Sequence, residues 1–150
     1  MKAFSLFFLL VSFGFNKSAE ASDIIEVRKS YYLAIESEEH LDSFKETLIA
    51  FDDPNNTILG YFGMYFMLKA KYAWLPTFKM QYFTKGKDML ESAISGDPTN
   101  IELKFMRFCT QNNTPGFLNY SSNLKSDKAD LIKFFPAIKD NDLKNRVVDY

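Results

Sequence analysis

The sequence predicts an all-α fold, with antiparallel helical hairpins packed as a short α-solenoid or a compact bundle of about six to eight helices. Three observations predict it. Apolar residues recur at separations of three and four along most of the chain, as on one face of a helix, and no period-two stretch of useful length appears. Glycine is scarce, 6 of 150 residues, which argues against a loop-rich or repetitive β architecture. Proline and Asn/Asp clusters fall between the periodic stretches, where helices stop and start. A chain of this length makes one domain around a single core. With 47% apolar and 25% charged residues its composition is that of a folded globular protein.

The chain opens with Met1-Lys2 and an uncharged, mostly apolar run over 3–15. That run is too short to span a bilayer, which takes ~20 apolar residues, and has the layout of a secretory leader. Ala19 and Ala21 supply the two small residues before a cut, so cleavage is expected between Ala21 and Ser22, and the mature domain is 22–150. An uncleaved anchor or a buried N-terminal helix is the rival reading. The mature part carries 16 basic and 18 acidic side chains. Lysine outnumbers arginine 15 to 3, which fits an AT-rich bacterial genome, and one thiol forms no internal disulfide. A periplasmic or secreted bacterial protein is expected.

Ile24, Val27, Tyr31 and Ile35 mark the first helix, with Asp23 and Glu26 as a start signal. Leu41, Phe44, Leu48 and Phe51 mark the second, with Ser37 before Glu38 and Glu39 at its positive end, and Asp52-Asp53-Pro54-Asn55-Asn56 stops it. Over 57–74 the chain is apolar on most sides, as a central helix is. A membrane span is the rival, but Lys69 and Lys71 shorten the uncharged run to 57–68, so no span is expected after leader removal. Pro76 suits the first turn of the next helix, which runs through Gly86 and Leu90 to Gly96-Asp97-Pro98. A fifth helix is expected over 99–110. Gln111-Asn112-Asn113-Thr114-Pro115-Gly116 reads as the clearest loop, followed by a short apolar turn with Phe117, Leu118 and Tyr120. Asp127 is expected to open a helix closed by Pro136, and Asp140 or Asn141 to cap a last one containing Leu143, Val147 and Val148.

Asp53-Pro54-Asn55-Asn56 returns 44 residues later as Asp97-Pro98-Thr99-Asn100, an alignment that also sets Leu59 on Leu103 and Tyr61 on Phe105. Helix pairs repeating every 34–47 residues are a mark of α-solenoids. Gly86, Leu90, Ala93 and Pro98, with the turn Ser95-Gly96-Asp97-Pro98-Thr99-Asn100 and Glu102, resemble the second half of a tetratricopeptide repeat. Ala70, Ala73, Trp74 and Thr77 stand where that family has Trp, Leu, Gly and Tyr. The resemblance implies stacked helical hairpins and a protein-binding concave face. The stretch 101–120 also resembles small exported helical proteins of bacteria, which names no activity.

The enzyme templates are missing: no Gly-rich phosphate loop, Gly-x-Ser-x-Gly elbow or His-Glu-x-x-His helix. The one His, His40, sits among Glu36, Glu38, Glu39 and Asp42, where a solvated turn explains it; Cys109 reads as a small buried hydrophobe. A non-enzyme is expected, with no metal and no cofactor; Asp52, Asp53 and Asn55 make only a weak calcium pattern. A formal net charge of -1 excludes a broad basic face, so no nucleic-acid partner is expected. Charge is polarised instead. Residues 36–53 hold seven acids against Lys45, while 69–87 hold Lys69, Lys71, Lys79, Lys85 and Lys87 and no acid. Opposite helices pairing at their rims is the plain account. The sharper one is a docking face for an envelope protein made of Lys71, Trp74, Phe78, Lys79, Tyr82, Lys85 and Lys87, since aromatics beside cations are enriched where proteins bind. The leading expectation is an exported scaffold or adaptor. The alternative is a carrier of a small apolar ligand, with the surplus of 16 Phe and 8 Tyr lining an interhelical cavity. Two recognisable repeats, fewer than the three a solenoid usually needs, leave self-association open.

Overall fold

A computed structural model describes residues 17–51, 53 and 55–150, with side chains from Ile24 onward. The expected leader, 1–21, falls mostly outside these residues. Backbone helix is already present from Lys17 and runs unbroken past the expected cut between Ala21 and Ser22.

Seven α-helices and no strand occur among the described residues: α1 Lys17–Glu36, α2 Leu41–Ile49, α3 Asn56–Tyr72, α4 Pro76–Gly96, α5 Ile101–Asn113, α6 Leu124–Phe134 and α7 Asn141–Asp149. The all-α expectation and its helix number hold. None of these helices is long and apolar enough to cross a membrane. Consecutive helices pair as α1–α2, α3–α4 and α5–α6, and each pair packs on the next through α2–α3 and α4–α5.

The closest pairing is α3–α4. A Cβ built on Gly63 would lie 2.7 Å from the Gly86 carbonyl oxygen, and one on Gly86 would lie 2.6 Å from that of Gly63. Glycine at both positions lets the two backbones touch. Beside this crossing Leu90 and Leu103 are fully buried, and Phe44 packs against Tyr31, Tyr61 and Tyr65 with ring centroids 5.6, 6.4 and 6.4 Å apart. Each such buried side chain contributes about 1.5–3 kcal/mol of apolar transfer. Phe105, Leu131, Ile138 and Leu143 form a second cluster that seats α6 and α7 on α5.

Helix starts follow side-chain chemistry. Asn55 accepts from the Ile58 amide, Asn100 from the Glu102 and Leu103 amides, and Asp140 from the Leu143 amide. The two Asn caps are 45 residues apart, so the internal echo is one residue longer than the Asp-Pro match suggests. That register sets buried Ile58 on buried Leu103, replacing the pairing of Leu59 with Leu103.

Four boundaries differ from expectation. α1 begins upstream of Asp23. Ser37 makes no capping bond and leads into a 3-10 turn, Glu38–His40, before α2. α5 continues to Asn113, with Gln111 buried and held by Asn123: its side-chain Nε2 donates to Asn123 Oδ1, and its Oε1 accepts from the Asn123 backbone amide. α6 starts at Leu124, so Asp127 lies within its first turn instead of capping it. Asp127 is 1% exposed and takes both arms of the Arg107 guanidinium, at 2.7 and 2.8 Å.

Candidate ligand cavity

Each odd-numbered helix carries a stripe at three- and four-residue spacing: Tyr31 and Ile35 on α1, Tyr61, Met64 and Leu68 on α3, Phe105, Met106 and Cys109 on α5, Leu143 and Arg146 on α7. The stripes of α1 and α3 meet where Tyr31 and Tyr61 touch, with ring centroids 5.6 Å apart, and part beyond that contact. They face a common cavity of about 900 Å³, bounded also by Met80 and Phe83 of α4 and by Pro115, Phe117 and Leu118. Ligand pockets span ~300–1,000 Å³ with mostly apolar walls and a few placed polar groups, and this cavity fits that description. Its rim is open, since Met80 and Phe117 are both exposed.

The wall beside Tyr61 is held by a buried ionic knot. Arg28 Nε and Nη2 donate to Glu102 Oε1 and Oε2, both at 2.7 Å, and Tyr61 donates to Glu102 Oε1 at 2.7 Å. The same guanidinium reaches Asp140 at 2.9 Å and Asp142 at 3.0 Å. Four helices are therefore joined by one ion pair, α1, α5 and α7 through Arg28 and α3 through Glu102. Burial works against the Arg28 cation, but the Glu102 carboxylate outweighs it and the guanidinium is held firmly protonated. Burial likewise opposes ionisation of Asp142, yet hydrogen bonds from Arg146 and Arg28 keep its carboxyl below the usual range. Arg146 in turn lies 4.4 Å above the Tyr32 ring, at the cavity edge.

Two reactive groups line the apolar side. Burial pushes the Cys109 thiol up to about 12 against a hydrogen bond from Tyr150, so it is a thiol at neutral pH and a poor nucleophile. Burial also drives the Tyr31 phenol upward, with Cys109 nearby, so it stays protonated at neutral pH.

The aromatic–basic residues singled out in the sequence divide between two sides of α4. Lys71 and Lys79 line the cavity mouth, where Lys71 Nζ donates to the Ile35 carbonyl at 2.6 Å and Lys79 Nζ to the Lys71 carbonyl at 3.1 Å. Phe78, Tyr82 and Lys85 share the other side: Tyr82 stacks between Phe78 and Phe66, and Lys85 sits 4.0 Å over Phe66. Trp74 projects from the α3–α4 turn, and half-buried Lys87 continues the row of Lys79 and Phe83. Among the described residues none of the five lysines of 69–87 pairs with a carboxylate, and no rim ion pair joins the described parts of the two charged segments. Asn55, considered with Asp52 and Asp53 for calcium, spends its carbonyl oxygen on the α3 cap; Asp52 lies outside the described residues.

Sequence reasoning passed over Arg28 and Arg107, and read Glu102 only as part of a repeat-like turn and Asp127 only as a helix start. A signal was present. All three arginines of this lysine-rich chain make two-pronged carboxylate contacts, Arg28 with Glu102, Arg107 with Asp127 and Arg146 with Asp142. A planar fork suits that geometry and an ammonium does not, so the rare arginines mark the buried pairs.

No protein-family model matches this chain, and neither the curated proteins nor the solved structures give a match.

Proposed function

We propose that the protein is a carrier: it holds one small apolar or amphipathic molecule between its odd-numbered helices. The observation that carries this reading is the cavity of about 900 Å³ with Tyr, Phe and Met walls. Water gains few hydrogen bonds from such walls, and each methylene moved into them is worth about 0.8 kcal/mol. Tyr31 and Thr110 add a few hydroxyls to these walls, the Thr110 hydroxyl donating to the Met106 carbonyl and leaving its oxygen to accept from an occupant. The leader-like composition of the first 21 residues supports a carrier that works outside the bacterial cytoplasm.

Native mass spectrometry of freshly purified protein tests the reading. A stoichiometric bound lipid or other apolar molecule is expected, and Cys109→Phe, which narrows the cavity, is expected to lower its occupancy several-fold while circular dichroism stays unchanged. An empty protein that also takes up no apolar fluorophore refutes it. A second reading keeps the adaptor function. The open rim at Met80 and Phe117 would also admit an extended segment of another envelope protein, as the tetratricopeptide-like sequence around 86–102 suggests. A peptide mass in the same spectrum, in place of a lipid, favours that reading.

A further inference from the structure

The α3–α4 turn concentrates exposed apolar surface. Trp74 is 75% exposed, Leu75 52% and Phe78 47%, three large side chains within five positions. The segment that carries them is cationic: 69–87 hold five lysines and no acid. These cations are fixed. Lys71 and Lys79 are anchored on carbonyls at the ends of α1 and α3, Lys69 lies 4.5 Å over the Tyr82 ring and Lys85 4.0 Å over Phe66. Glu36, next to Ile35, makes no ion pair with Lys71. An apolar tip thus sits inside a collar of positive charge with no neutralising partner among the described residues.

We propose that this turn docks the protein on an anionic lipid surface, with Trp74, Leu75 and Phe78 in the interfacial layer and Lys71, Lys79 and Lys85 against the head groups. Tryptophan favours that layer, because one part of its ring system is apolar and its N–H needs a polar neighbour. Anionic head groups attract lysines additively and need no matching shape. A protein partner would need a broader complementary patch, of about 800 Å² a side, than three residues on a turn supply. Pro76 and Met80 belong both to this end of the molecule and to the cavity lining, so docking sets the cavity mouth against the lipid. The docking does not depend on what the cavity holds.

Trp74 is the chain's single tryptophan, so its emission reports this turn whatever else in the full chain touches lipid. The full-length protein is mixed with phosphatidylcholine vesicles and with vesicles carrying one-quarter phosphatidylglycerol, and emission and quenching by acyl-brominated lipid are recorded. A blue shift and quenching are expected with the anionic vesicles only, weakening at least tenfold between low and high salt. Leu75→Ser/Phe78→Ser keeps the reporter and alters only exposed side chains; at least a tenfold loss of apparent affinity is expected. An unshifted Trp74 with both vesicles, equal shifts with both, or an unaffected double variant overturns the proposal, as does a Trp74 shift produced only by an acidic protein.

Discussion

Replacing Arg28 by methionine is expected to cost about 3–5 kcal/mol, the range for removing one partner of a buried ion pair. Arg28 is 1% exposed and Glu102 7%, and their two-pronged contact is the main compensation for burying the Glu102 carboxylate. After the substitution Glu102 retains the Tyr61 hydroxyl, and Asp142 retains Arg146. Glu102 therefore bears most of the penalty. Urea unfolding followed by circular dichroism measures it. With a slope of about 2 kcal/mol per molar, the midpoint should fall by about 2 M. The companion variant Arg28→Met/Glu102→Met removes both charges and should recover half or more of the loss, since an apolar replacement of a buried pair is often neutral. A single variant within 1 kcal/mol of the parent, or a double variant worse than the single, would refute the view that the knot is a buried, mutually dependent pair.

Three other outcomes follow from the same structure. Gly86→Ala should destabilise by about 1–3 kcal/mol, because its Cβ meets the Gly63 carbonyl and the Met67 amide, which cannot rotate away. Gly116→Ala, with nothing within 4 Å, should change the urea midpoint little. Cys109, raised to about 12, should react with a disulfide reagent at pH 8 orders of magnitude more slowly than in urea-unfolded protein, and a cavity occupant should slow it further; a native rate equal to the unfolded one would contradict its burial. Asp140 and Asp142 have folded pKa values below their ordinary 3.8, so the stability they contribute is fully present above that value and fades as pH falls through the lower folded values. The urea midpoint should accordingly drop between pH 5 and pH 2, less steeply in Asp142→Asn.

The sequence by itself determined the helical class and most of the helix starts. Spacing at three and four assigns each helix an apolar face; Pro76 begins α4 through its fixed φ and missing N–H, and Asn55, Asn100 and Asp140 begin helices through local bonds that no distant residue needs to supply. Where a distant residue does supply the bond, local signals misled. Gln111 looked like loop and is helical, its amide satisfied by Asn123, and Asp127 looked like a cap and is a buried counter-ion of Arg107. Only the tertiary structure decided what the aromatic stripes do. Periodicity says that Tyr31, Met64 and Met106 leave the water side of their helices; it does not say whether the space between those helices is filled. The Gly63–Gly86 contact draws α3 and α4 together, while the Arg28 knot ties α1, α3, α5 and α7 to one another around a space their side chains do not fill. Cavity volume depends on distances between helices, and those are set by contacts 20 to 114 residues apart along the chain.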